Sequence, residues 1–336
     1  MSERNLSRAR PLSSIVQRRH DAVTKRFCNW KEFSDSTIGF SSSGLGRLVS
    51  LPGVIRLDAA TVLLQWSVGG LAFLWFTTRR REVGIGYGWL LRGVYLLMAV
   101  GAVVLGARFG LVWARELSGA AVAAAALFAL VVSIVHRHAG VSGQIDEHDR
   151  RSQRVAEMTG IERSVKQPLA GREFPPVVDL FAPIAGIVGL VAASVDAGGN
   201  LAVSLVRTFA GAAFLGAVTD AMLLGHWYLV QPGLPRRHLN ELVDALGWVW
   251  PVEVASLLLP TGMVSVWTGS VDDGWNGTLG WFWAACAVTT IILVFVTKAA
   301  LRERYYSAVM AATGLLYLAI LTAFGTDLVA RAVLAG

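Results

Sequence analysis

RTFAGAAFLGAVTDAMLLGHWYLVQPGLPRR, residues 207 to 237, decides the fold. It holds an apolar run long enough to cross about 30 Å of hydrocarbon as a helix. The run contains Asp220 and His226 and ends on Pro232, Pro235, Arg236 and Arg237. A lone charge at mid-span costs at least ~3 kcal/mol on insertion scales, so Asp220 must face protein or water rather than lipid. At 100° per residue Ala212, Gly216, Asp220 and Trp227 share a stripe, and the small residues admit a neighbouring helix close to the carboxylate. His226 falls on another face, with Thr219 and Val230.

Similar runs recur along the chain. Of 336 residues, 54% are hydrophobic and 16% charged, against about 25% charged in soluble domains. Eight apolar stretches lie at 58–77, 85–106, 117–136, 177–196, 201–231, 239–267, 279–299 and 306–330. They are continuous rather than alternating, which excludes a transmembrane barrel. The expected fold is therefore an all-α integral membrane protein, a bundle of about eight transmembrane helices (58–336) behind a polar, basic N-terminal arm (1–57).

The first 20 residues of that arm carry five Arg, four Ser and one acid, with no apolar core of a secretory signal. This composition also suits an organellar transit peptide, so an organellar inner membrane stands beside a bacterial cell membrane as the location. The arm is long enough to grip partner subunits.

Fifteen Lys and Arg lie in the loops 78–84, 137–176, 232–238 and 298–305, against three in the alternate loops and the C-terminus. The positive-inside rule places the first set, including the long 137–176 loop, on the cytoplasmic side. The basic residues of the arm oppose this count, and an interfacial piece near 38–56 would reconcile the two. The net charge of +7 belongs to this topology signal rather than to nucleic-acid binding.

Several polar groups carry candidate chemistry. The sixth run, HLNELVDALGWVWPVEVASLLLPTGMVSVW, has Pro251 and Pro260 on either side of Glu253. Each proline removes a backbone donor, freeing carbonyls near Gly247 and Ser256. Asp220 and Glu253, on consecutive antiparallel helices, are the expected pair for proton exchange. Glu241 and Asp244 suit the start of the sixth helix. Arg92 either snorkels or neutralises one of the buried acids, Arg207 snorkels, and Asp327 and Arg331 form an i, i+4 pair.

A quinone site requires a proton-exchanging group and aromatic walls, for which His226, Trp227, Tyr228, Trp248 and Trp250 are the candidates. A b-type haem would need His226 with His136 or His138. Cys28 and Cys286 form no metal-binding spacing, and no metal ligand set is expected. Nucleotide-binding, zinc-protease and hydrolase motifs are absent in usable contexts, and the two halves show no strong internal repeat.

The expected function is a polytopic membrane subunit of a larger respiratory or redox complex that handles protons, quinone or electrons. The alternative is a proton- or cation-coupled small-molecule transporter.

Overall fold

The computed structural model describes residues 58–137, 173–231, 233–258 and 262–334, with a few residues of the 138–172 loop. The 1–57 arm, most of the long loop, Pro232, Pro260 and His138 lie outside the described residues.

Among the described residues eight long helices follow one another: α1 (Ala59–Thr78), α2 (Ile85–Phe109), α3 (Trp113–Val135), α4 (Phe181–Asp196), α5 (Leu201–Val230), α6 (Arg237–Leu258), α7 (Thr278–Arg302) and α8 (Tyr306–Leu334). No strand occurs among the described residues. Side-chain oxygens satisfy the exposed N–H groups at helix starts, as capping requires. Asp58 accepts from Ala60 N at 3.1 Å, and Asn200 from Ala202 N at 3.0 Å. Asp273 accepts from the N–H groups of Trp275, Gly277 and Leu279 at the entry to α7.

Among the described residues, seven helical segments are long and apolar enough to cross a membrane, and of the long helices α6 is the exception. Its 22 residues would reach about 33 Å, but it carries Glu241, Asp244 and Glu253. The sixth run was expected as one span over 239–267. Instead α6 ends at Leu258 and the chain takes a separate helical turn at Val264–Trp267.

The surface is inverted relative to a water-soluble protein. Leu97, Phe109 and Trp248 are 73, 80 and 80% exposed, whereas Gln65, Asp220, Glu253 and Asp327 are fully buried. Hydrocarbon solvates the first group and rejects the second. The chain is a multi-pass membrane protein in contact with the lipid bilayer.

Helices α1 and α5 form the centre. α1 packs on α2, α4 and α5; α3 packs on α2 and α4; α5 also packs on α6 and α8. The α1–α5 crossing depends on glycine. A Cβ on Gly216 would overlap the backbone of Gly69, and a Cβ on Gly69 would overlap the carbonyl of Ala212. The Ala212–Gly216–Asp220 stripe thus lies against the bare backbone of α1, as small-residue interfaces in lipid require.

Gly314, by contrast, would place a Cβ in open space. Overpacking costs about 1–3 kcal/mol where neighbours can yield. Gly216→Leu should therefore lower the thermal unfolding midpoint sharply in detergent, because backbone cannot yield, while Gly314→Leu leaves it near that of the natural protein.

Candidate functional site

Three groups of buried polar side chains lie at successive depths. The shortest connections hold the helices antiparallel, so the loops 79–84, 231–236 and 303–305 share one end, called here the basic end.

At that end Glu82 binds two residues of the α6 start: it pairs with Arg237, and its Oε2 lies 2.6 Å from His238 Nε2. Arg80 pairs with Glu241, and Arg81 with Glu173 at 2.9 Å. Gln231 accepts from Gly84 N at 2.8 Å and donates to Glu82 O at 3.0 Å. These contacts tie the α1–α2 and α5–α6 turns together.

Deeper, Arg92 makes a bidentate pair with Asp179, Nε and Nη2 each at 2.7 Å. Its guanidinium carbon lies 4.4 Å from the Phe174 ring centroid, and Nη1 donates to Ser133 at 3.2 Å. Arg92 therefore neutralises neither Asp220 nor Glu253. Asp179 enters from the 3-10 turn Pro176–Leu180 that leads into α4, a partner the sequence reading did not consider.

The second group surrounds Asp220, nearly two thirds of the way along α5. The Tyr95 hydroxyl donates to Asp220 Oδ1, and Oδ2 receives no donor. The Tyr87 hydroxyl reaches the Asp220 carbonyl at 3.4 Å. Gly70 leaves space for the Tyr95 ring against α1, and Ser67 donates to Tyr95 O at 2.8 Å. A tyrosine ten residues into α2 was the available signal, since its hydroxyl needs a partner inside the bundle.

The third group lies toward the opposite end and joins four helices. Arg207 of α5 donates through Nε to Ser256 O of α6 at 2.6 Å. Ser256 was expected to have a freed carbonyl, because Pro260, four residues on, has no N–H to give. The guanidinium takes that place, so Arg207 is buried at 5% exposure rather than snorkelling.

The Glu253 carboxyl faces that of Asp327 on α8 within hydrogen-bonding reach, with Arg331 and Arg207 alongside. Arg331 Nε donates to Asp327 Oδ1 at 2.8 Å, which makes the expected i, i+4 pair a fully buried one. Neither oxygen of Glu253 receives a donor, nor does Asp327 Oδ2. Gln65 of α1 donates to Thr208 O at 2.7 Å and leaves its Oε1 without a partner beside them.

A small pocket opens from this group between the starts of α1 and α5 and the ends of α4 and α8. Arg207 and Arg331 line it together with Asp58, Asp196, Ser204 and Thr208.

The structure does not bring Asp220 and Glu253 together. Arg207 meets Ser256, three residues from Glu253, and Asp220 lies thirteen residues further along α5. That is about 20 Å along the axis, against about 5 Å for Glu253. Each acid has its own partner, Tyr95 for Asp220 and Asp327 for Glu253.

The quinone candidates diverge as well. His226 is exposed, with Nδ1 3.4 Å from the Tyr317 hydroxyl. Trp227 packs on Tyr87 and donates to Gln231 at 3.1 Å. Tyr228 turns inward to donate to Pro235 O at 2.7 Å. Trp248 faces outward, and Trp250 donates to Ala287 O at 3.0 Å. His136 closes α3 with Nδ1 on Val132 O at 2.8 Å, while His226 faces α8. The two imidazoles are not placed to sandwich a haem. No cluster of three or more metal-ligating side chains occurs among the described residues.

No protein-family model, curated protein or solved structure matches this chain. Fold and site define its class: a multi-pass helical membrane protein with charged clusters sealed inside the bundle.

Removing one partner of a buried ion pair costs about 3–5 kcal/mol, whereas replacing both with apolar residues is often neutral. Arg92→Met should therefore destabilise the protein strongly, and Arg92→Met with Asp179→Leu should recover most of the loss. Thermal unfolding of the three variants as a double-mutant cycle measures this.

Proposed function

We propose that the chain is a proton-coupled transporter of a small solute, with its basic loops on the cytoplasmic side of a bacterial cell membrane. The observation that carries this reading is the Glu253–Asp327 carboxyl pair with Arg331 and Arg207 alongside, the two arginines also lining a small pocket. The Glu253 oxygens and Asp327 Oδ2, which receive no N–H or hydroxyl donor, satisfy one another through a proton they share. A buried site that must hold a proton to be satisfied is the minimum equipment for proton coupling.

Asp220 supplies a second proton station nearer the basic end. Residues 65–67 of α1 run between the two: Gln65 reaches Thr208, Trp66 donates to Thr219 at 2.8 Å, and Ser67 reaches Tyr95. A role as the membrane subunit of a redox complex could use the same acids. It gains nothing from His226, Trp227, Tyr228, Trp248 and Trp250, which the fold sends to separate faces.

The test is proton flux into proteoliposomes carrying a pH-sensitive dye. Glu253→Gln and Asp327→Asn keep shape while removing the titrating group, and each should reduce flux on the order of 100-fold. Asp220→Asn should also reduce it, with protein levels unchanged. Natural flux in both Glu253→Gln and Asp327→Asn would refute the reading.

A further inference from the structure

At the basic end, most acids are matched to a cation one for one. Glu82 pairs with Arg237 and also meets His238, Glu173 pairs with Arg81, Glu241 with Arg80, and Asp244 with Lys298 at 2.6 Å. Deeper in, Asp179 pairs with Arg92.

The α7–α8 turn departs from that pattern. Arg302, Glu303 and Arg304 are all exposed there. Arg236 of the α5–α6 turn reaches across and donates to the carbonyls of Glu303, of Arg304 at 2.8 Å and of Tyr305 at 2.9 Å. Those carbonyls fix the guanidinium in place without cancelling its charge. Among the described residues, three arginines therefore meet a single acid, Glu303, and two positive charges are left over.

Beside this turn lies a cavity of about 270 Å³, lined by Arg236 together with Tyr228, Leu234, Pro235, Tyr306 and Val309. The tyrosine hydroxyls are occupied, Tyr228 on Pro235 O and Tyr306 on Tyr228 O at 2.9 Å, so the rings offer mainly carbon to the cavity. Tyr305 and Tyr306 are 75 and 47% exposed, as aromatic side chains are where hydrocarbon meets headgroups. Toward the membrane interior the exposed side chains turn aliphatic or aromatic: Leu229 and Val230 at the end of α5, Phe295 and Val296 on α7.

From the basic end inward, the order is thus surplus arginines, a tyrosine boundary with a cavity, and apolar surface. A soluble phosphate would meet the arginines but leave the cavity and the apolar surface unused. An anionic phospholipid uses all three, and guanidinium groups suit its phosphate oxygens. We infer that Arg236, Arg302 and Arg304 bind the phosphodiester of an anionic phospholipid in the leaflet at the basic end, with its glycerol backbone in the cavity between the α5–α6 and α7–α8 turns. Bound there, the lipid joins the start of α6 to the start of α8.

The test adds phosphatidylglycerol to the purified full-length protein in neutral detergent. Thermal unfolding reads stabilisation, and native mass spectrometry counts retained lipids. Phosphatidylglycerol should raise the unfolding midpoint saturably and stay bound, whereas phosphatidylcholine and inorganic phosphate should do neither. Arg302→Gln combined with Arg304→Gln removes two exposed charges that pair with no described residue, so the midpoint without lipid should stay that of the natural protein. Phosphatidylglycerol binding should weaken about thirtyfold in that variant. Arg79→Gln combined with Arg108→Gln removes the same charge from exposed positions elsewhere, on the Phe76 ring and at the last turn of α2, and should keep the binding.

Equal stabilisation by phosphatidylcholine, or undiminished binding in the Arg302→Gln, Arg304→Gln variant, would overturn the site. An equal loss in the Arg79→Gln, Arg108→Gln variant would replace it with attraction to overall charge. Stabilisation matched by inorganic phosphate would overturn the lipid assignment in favour of a free-anion site.

Discussion

Hydrocarbon offers no hydrogen bonds, so every polar group carried into the membrane must find its partner inside the protein. The rest of the structure follows from that constraint. It turns leucine, phenylalanine and tryptophan outward and gathers glutamine, serine, tyrosine and the ionisable side chains inward. It also explains the glycines of α1 and α5. Without the bare backbone at Gly69, Gly70 and Gly216, α1 could not lie close enough for Gln65 and Ser67 to reach Thr208 and Tyr95, nor could the Tyr95 ring reach Asp220.

The clusters differ in how completely they are satisfied. Arg92 and Asp179 match fork to fork, with Ser133 and Phe174 completing the guanidinium's surroundings. That is the pattern of a structural pair fixing the entry of α4 against α2. The group around Glu253 is different: Gln65 Oε1, both Glu253 oxygens, Asp327 Oδ2 and Arg331 Nη2 lack partners. Buried groups left in this state are expensive, and in the proposed reading a proton shared by the two carboxyls offsets part of that cost.

Much of the fold was legible in the sequence because membrane helices announce themselves by length and composition. The stripe Ala212–Gly216–Asp220 correctly anticipated a close helix neighbour, and Pro260 correctly anticipated a free carbonyl at Ser256. The partners were not legible. Asp220 meets Tyr95 from 125 residues away and Arg92 meets Asp179 from 87 residues away, and periodicity along one helix says nothing about which helix lies opposite. The pairing of Asp220 with Glu253 failed for a related reason. Adjacency of α5 and α6 was a sound inference, but register along two antiparallel helices depends on the turn between them, and that turn sets Glu253 beside Arg207. The sixth span was read as continuous because its composition is apolar overall, whereas α6 spans Arg237–Leu258 and a separate turn follows at Val264–Trp267.

The central claim is that Glu253 and Asp327 share a proton in the resting protein. Infrared difference spectroscopy in light and heavy water observes this directly through the carbonyl stretch of a protonated carboxyl, comparing the natural protein with Glu253→Gln at neutral pH. The account predicts a deuterium-sensitive band in the natural protein that is lost or displaced in the variant while the amide bands stay the same. Superimposable spectra, with no protonated carboxyl assignable to the pair, would contradict it.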